Sequence, residues 1–295
     1  MGLYLIFCFS SLQSAPFITT EHNRFSGYCV DVLNEIKART ALNYSLYLVE
    51  DGHYGPRIYR SGPLVGMIAD VLSKKADFAV GDLTVNEFRE QYVAFTEPIF
   101  TFSIAGLVRK ELAPNFHTLD DLATKSNLSV GAYSGSIIIR QLNALRASRT
   151  PRWLIEQISR RESTGGLVAD EAEALAAVRS QPFVLLREEP KNTFAASRDC
   201  SLKVLTDPNF YITSHYAIAF RKQSPYLKLF NRAIKELKAK GILEKLKRKH
   251  FAVGCLKSGA AAAATTVTNV SSNLAVLVVT CFSSALFMMN RFFLF

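Results

Sequence analysis

The sequence has little of what staples or metallates a fold. Its cysteines stand far apart, at positions 8, 29, 200, 255 and 281, with no C-x-x-C pair and no histidine pair beside them, so no structural zinc site is expected and no metal ligand is assigned. There is one tryptophan, and charged residues make up only 20% of the chain against 49% hydrophobic. That balance excludes a disordered tail, and 295 residues can bury a core large enough for two lobes. Acid is also scarce, which leaves a net charge of +10. The densest basic run, residues 235–250, alternates with Leu237, Ile242, Leu243 and Leu246 at helical spacing, so it reads as a solvated helix face. No basic patch is interleaved with aromatics on a strand face, and no nucleic-acid partner is expected.

Long hydrophobic runs are confined to the far end. Residues 274–289 are apolar apart from Thr and Ser, and Asn290 and Arg291 precede Phe-Phe-Leu-Phe. Two readings stand: a membrane-spanning helix over 274–295, with Arg291 reaching an interface, or a GPI-attachment signal after the small residues Ser258, Gly259 and Ala260 and an Ala/Thr/Ser-rich spacer over 256–273. Sequons at Asn43, Asn127 and Asn269 lean towards an extracellular, glycosylated protein at the cell membrane. Residues 1–15 have the apolar centre of a signal peptide but no basic start, and Pro16 follows the Ala-type cleavage site; the reading is a buried first strand, with no evident entry signal.

Periodicity gives an α/β order. Residues 5–9 read as a strand, Val30, Leu33 and Ile36 as one helix face, and 45–49 as a strand; 66–75 read as a helix, followed by a short buried strand at 78–80 and a polar loop at 81–84. Loops at strand ends line the ligand crevice of open α/β sheets. A second lobe begins after Pro98, with a strand at 128–130, a Gly135-Ser136 turn, and helices at 137–145 and 168–179. Ser224 and Pro225 read as an N-cap followed by a first-turn proline, and Gly241 separates that helix from one over 242–249. Cys29, on an apolar helix face, is expected to be an inert buried thiol.

Ala15-Pro16-Phe17, the run Phe25 to Leu33 (FSGYCVDVL), Asp51-Gly52-His53-Tyr54-Gly55, Leu83-Thr84-Val85 with Arg89-Glu90, and Phe95-Thr96-Glu97-Pro98 follow one another in an order that resembles the ionotropic glutamate receptors. Gly135-Ser136, Tyr216-Ala217-Ile218-Ala219 and Ser224-Pro225-Tyr226 continue the likeness, which runs over about residues 5–255. The resemblance implies an α/β, two-lobed clamshell of the periplasmic-binding-protein type II, with lobe 1 at 4–100 and 217–255, lobe 2 at 101–216, and the hydrophobic tail after it. Cys200 and Cys255 fall where the family places a disulfide. Few residues separate Arg109 and Lys110 from the second half, where a channel subunit carries its pore, so no pore is expected in this chain. A fragment of a channel subunit remains the alternative, with pore-bearing receptor subunits as candidate partners.

In this frame Arg89 matches the family's carboxylate clamp, a guanidinium fork suited to two charge-assisted hydrogen bonds. Thr84 and Ser136 add donors to the same carboxylate, Tyr54 lies across the ligand, and Tyr216 lines the far side or is a core tyrosine. Three positions depart from the family. Arg187 stands where an acid usually pairs with the ligand ammonium, with Glu188 and Glu189 after it. Either the loop shifts so that Glu188 enters the pocket, or the ammonium is held elsewhere, or the ligand has none and is, for example, a dicarboxylate. Asp82 replaces a proline common in animal members and offers a carboxylate near the ammonium. Ile137 replaces a side-chain donor, favouring a glycine-like or apolar ligand over glutamate. The expected function is binding of a small carboxylate ligand, an amino acid, without cofactor or chemistry. The competing reading, a dehydratase-like enzyme on the same fold, lacks a His or Cys that maps to the pocket.

Overall fold

Strand β1 (Ile6–Ser11) pairs in parallel with both β4 (Asn43–Leu48) and β5 (Phe78–Ala79), because the intervening segments cross over outside the sheet. The structure is a computed structural model that describes residues 6–11, 13–55, 65–118, 121–122, 128–133, 138, 153–154, 156–158, 168, 170–206 and 213–251. The readings at Ser136, Ile137, Asn127, Asn269, Cys255, the helix at 137–145 and the tail over 256–295 lie outside these residues. Strands β6 (Val93–Phe95) and β13 (Ala219–Arg221) complete a five-stranded sheet of order β4-β1-β5-β13-β6, in which β13 runs antiparallel to its neighbours. A small hairpin, β2 (Thr19–Glu21) and β3 (Arg24–Ser26), stands beside it.

One face of this sheet is covered by α1 (Tyr28–Thr40), and by two helices from the far end of the described chain, α6 (Leu227–Ala239) and α7 (Ile242–His250). Their apolar stripes explain why they stay: Val32, Leu33 and Ile36 of α1 meet Phe230, Ile234 and Leu237 of α6 and Leu243 and Leu246 of α7. Each such side chain contributes about 1.5–3 kcal/mol on full burial. Cys29 is buried in the same layer, and burial raises its thiol well above the usual range. The other face carries α2 (Gly66–Leu72), through Met67, Ile68 and Val71.

The α6 helix begins later than its sequence suggests. Ser224 makes no side-chain cap; its carbonyl accepts from Leu227 N at 3.4 Å in a turn, and helical bonding starts with Phe230 N to Tyr226 O at 3.0 Å. Ser224-Pro225 therefore forms the entry turn. Gly241, at φ 66, supplies the left-handed residue that ends α6 and starts α7.

A second sheet, of order β11-β8-β10-β9, is built from β8 (Ile104–Arg109), β9 (Ser129–Gly131), β10 (Phe183–Glu188) and β11 (Leu202–Leu205). Helices α4 (Glu171–Ser180) and α5 (Glu189–Arg198) belong to this lobe, α4 capped by Asp170, whose side chain accepts from Glu173 N. Between the sheets the chain passes twice, through β7 (Phe100–Phe102) and β12 (Ser214–Tyr216), which pair antiparallel. Two lobes joined by a paired crossing is the clamshell architecture. Among the described residues no helix is long and apolar enough to cross a membrane.

The lobe-1 layer is pinned by Asp31, which receives Lys249 Nζ and pairs with His250 Nε2, each at 2.7 Å. Burial alone would raise its carboxyl; these two hydrogen bonds outweigh that and hold it below the usual carboxylate range. A lowered carboxyl stabilises the fold above its unfolded value and loses that contribution as pH falls through its folded value. Asp31→Asn should therefore lower the melting temperature at pH 7, at a cost of about 1 kcal/mol or less. The gap from wild type should close below about pH 4, checked by melting curves across pH.

Candidate functional site

The residues around Arg89 are seated by the backbone. Asp51 accepts from His53 N and from Gly66 N, while Met67 N and Ile68 N donate to the carbonyls of His53 and Tyr54, so residues 51–54 lie over the start of α2. Gly66, at φ 79, makes this approach possible, since a Cβ there would sit 2.3 Å from the His53 carbonyl oxygen. Tyr54 is thereby held against the loop that follows β5. In that loop Asn86 caps α3 (Glu87–Glu90) by accepting from Arg89 N at 2.9 Å. The half-buried Arg89 guanidinium donates to Gly55 O at 3.1 Å and Thr84 O at 2.7 Å, and lies 5.7 Å from the Tyr54 ring centroid.

Thr84 bridges to Tyr216 of β12, and Val85 N donates to His215 O, so the loop is tied to the interlobe crossing. Tyr216 is fully buried, 4.2 Å from the Phe102 ring and 5.0 Å from that of Phe17. It is part of the core, yet its hydroxyl has no hydrogen-bond partner among the described residues. Burial, then the charge of Glu188, raises its phenol well above the usual range.

Asp82 is the meeting point of the lobes. One of its oxygens, Oδ2, accepts from Ser14 Oγ at 2.8 Å and Tyr54 Oη at 2.7 Å, and pairs with Lys191 Nζ of the second lobe at 2.8 Å. Asp82 is 4% exposed and Lys191 6%. Lys191 sits in the first turn of α5, at the positive end of a helix and out of water, so its charge is penalised twice without a counter-ion. Burial acts to lower its ammonium, but Asp82, with Tyr54, Glu188 and Glu171 behind it, outweighs that and keeps it protonated. Its Nζ also lies 6.0 Å from the Tyr54 ring centroid, so Tyr54 contacts both Arg89 and Lys191.

Arg187 and Glu188 end β10, where successive side chains face opposite ways. Arg187 is turned into its own lobe: it donates to Glu171 Oε1 at 2.5 Å, Asn192 Oδ1 at 3.0 Å and Lys191 O at 2.8 Å. Glu188 is 4% exposed, and its Oε2, like Asp82 Oδ1, is buried without a hydrogen-bond partner among the described residues. Arg89, Thr84, Asp82 and Tyr54 thus gather on the first lobe, with Glu188 and Lys191 on the second. Lys191, Ser14 and Glu171 belong to no motif in the sequence, and a lysine in a polar run such as Glu-Glu-Pro-Lys-Asn gives no sign that it is buried. Asn43 is half-buried at the start of edge strand β4.

Residues 6–112 match the family described as "Ligated ion channel L-glutamate- and glycine-binding site". The chain is 33% identical over 105 residues to a probable glutamate receptor of Lithobates berlandieri, and 35% identical over 102 residues to glutamate receptor U1 of Xenopus laevis. Each alignment covers 35% of this chain and 21% of the relative, so the chain spans about a fifth of the length of these curated relatives. The fold matches the Drosophila muscle GluRIIB complex with glutamate at TM-score 0.74 and 19% identity, over 84% of this chain and 100% of that one. Residues 6–112 are thus similar to this ligand-binding-site family and to these receptors, and the fold is a type II clamshell.

Two substitutions test the site's construction. Gly66→Ala forces a Cβ against the His53 carbonyl and should cost about 1–3 kcal/mol of stability by denaturant titration. Arg187→Met should lower the unfolding free energy by about 1–3 kcal/mol in the same titration, because Asn192 and the Lys191 carbonyl lose a buried donor. An Arg187→Met variant as stable as wild type would contradict its inward role.

Proposed function

We propose that this domain binds a small carboxylate-bearing ligand between its lobes, as a receptor module and without chemistry. The observation that carries the reading is the seat of Arg89. Its guanidinium is oriented by two backbone carbonyls beneath an aromatic ring, so little side-chain entropy is lost when it grips a carboxylate through paired charge-assisted hydrogen bonds. Thr84 lies beside it, and Ser136 is the candidate donor from the second lobe. Ile137 at the neighbouring position supports a small or apolar ligand side chain over that of glutamate. Lobe closure about the β7–β12 crossing is the output.

The path of the chain out of β8 within the second lobe supports a chain without a pore at this point. After β8 a single 3-10 turn, Lys110–Leu112, leads to Ala113 and Phe116, both already packed in the second lobe's core. Too few residues separate them to cross a bilayer. We further propose that the domain is extracellular and held at a membrane through residues 274–295, by a single span or a GPI anchor, with Cys200 bridged to Cys255 and pore-bearing receptor subunits as partners.

The test is the melting temperature of the full chain against a panel of acetate, propionate, glycine, alanine, phenylalanine and glutamate, in wild type and Arg89→Ala. At about 100-fold excess over Kd a ligand specific for the folded state adds about 2.7 kcal/mol, a shift of several degrees. At least one small carboxylate should give that shift, and Arg89→Ala should abolish it. A shift that survives in Arg89→Ala would overturn the assignment of the carboxylate.

A further inference from the structure

An amino-acid site needs an acid for the ligand's ammonium, and Asp82, the buried acid of the loop that leads to Arg89, already has a cation on it. Lys191 Nζ reaches across from the second lobe to Asp82 Oδ2 at 2.8 Å, while Tyr54 Oη and Ser14 Oγ fill the remaining directions around that oxygen. The tethered ammonium and the Arg89 guanidinium both stand at the Tyr54 ring, at 6.0 and 5.7 Å from its centroid. The buried charges of the cluster also cancel among themselves: Asp82 and Glu188 against Lys191 and Arg187, each no more than 6% exposed. Glu171, the remaining acid, is 40% exposed and touches Arg187 and Lys191 from outside. A second ammonium brought into this cluster would add an uncompensated charge beside Lys191, out of water, where such a charge is most costly.

We infer that Lys191 occupies the ammonium subsite from within the chain and sets the ligand class: a small carboxylate whose second carbon carries hydrogen or a hydroxyl, not an ammonium. This rests on the reading of Arg89 as the carboxylate anchor. Two acceptors remain to be met, Asp82 Oδ1 and Glu188 Oε2, each buried without a hydrogen-bond partner among the described residues. Both are acceptor-only oxygens, which a neutral hydroxyl satisfies without adding charge. A 2-hydroxy acid therefore answers both ends of the site, its carboxylate at Arg89 and its hydroxyl at one of these oxygens. An amino acid repeats a group that the protein supplies itself.

The experiment compares isosteres. Acetate, propionate and 2-hydroxypropionate are titrated against glycine and alanine by calorimetry and by melting shift, with the full chain as wild type, Lys191→Met and Arg89→Ala. Lys191→Met keeps the aliphatic stem and removes the ammonium. The expected result is that wild type binds 2-hydroxypropionate at least about tenfold more tightly than alanine, and that Lys191→Met reverses the preference by freeing Asp82 for the ligand's ammonium. If Lys191→Met does not fold, the wild-type comparison alone decides. Alanine binding wild type as tightly as 2-hydroxypropionate, and losing that binding in Arg89→Ala, would overturn this inference and leave the carboxylate anchor standing. Binding of either class that is indifferent to Arg89→Ala, or no binding by any of them, would remove the anchor and the inference with it.

Discussion

A buried lysine bound to a buried aspartate across two lobes constrains everything around it. Neither charge is tolerable alone at that depth, because stripping water from an ion costs several kcal/mol that only a close counter-ion returns. The contact exists only while the lobes meet, so the geometry of the crossing strands, the loop after β5 and the first turn of α5 must agree with one another. Oxygen Oδ2 of Asp82 gathers Lys191, Tyr54 and Ser14, drawing on the first strand's exit, the segment over α2 and the second lobe at once. A buried ion pair fixes a register more sharply than apolar contact, which tolerates sliding.

The two sides of the cleft differ in how they are held. On the first lobe the functional groups are set by backbone: glycines that allow close approach, an Asn cap on α3, and carbonyls that aim Arg89. On the second lobe they are set by charge, with Glu171, Arg187 and Asn192 forming the frame from which Lys191 extends. A frame of backbone is insensitive to substitution of neighbours; one of paired charges changes specificity when a single residue changes. On the proposal made for Lys191, the second lobe is where the ligand class is decided.

How much of this was legible in the sequence divides along the same line. The α1, α6 and α7 stripes announced themselves by spacing, since apolar residues three and four apart have one meaning in a chain that also carries caps and glycines. The cluster of Leu83, Thr84 and Arg89 was legible by likeness, and the structure brings Tyr54 and Asp82 to it. The start of α6 was misplaced, because Ser-Pro suits both a cap and a turn and only the hydrogen bonds choose. The partner of Asp82 was not legible at all. Lys191 lies over a hundred residues away in a stretch of polar residues, and burial of a lysine is decided by the lobe opposite, which no local pattern encodes.

The measurement closest to the centre of this account is a double-mutant cycle on the interlobe pair, with Asp82→Asn, Lys191→Met and the double variant compared by urea denaturation of the full chain. Each single change leaves one buried group without its partner, whereas the double change removes both charges together. The account predicts strong coupling: each single variant destabilised by about 2–4 kcal/mol, the double variant well short of their sum, and a coupling energy of about 1–3 kcal/mol. Additive losses, with coupling below about 0.5 kcal/mol, would show that the two charges do not depend on each other and would contradict the claim that this pair organises the cleft.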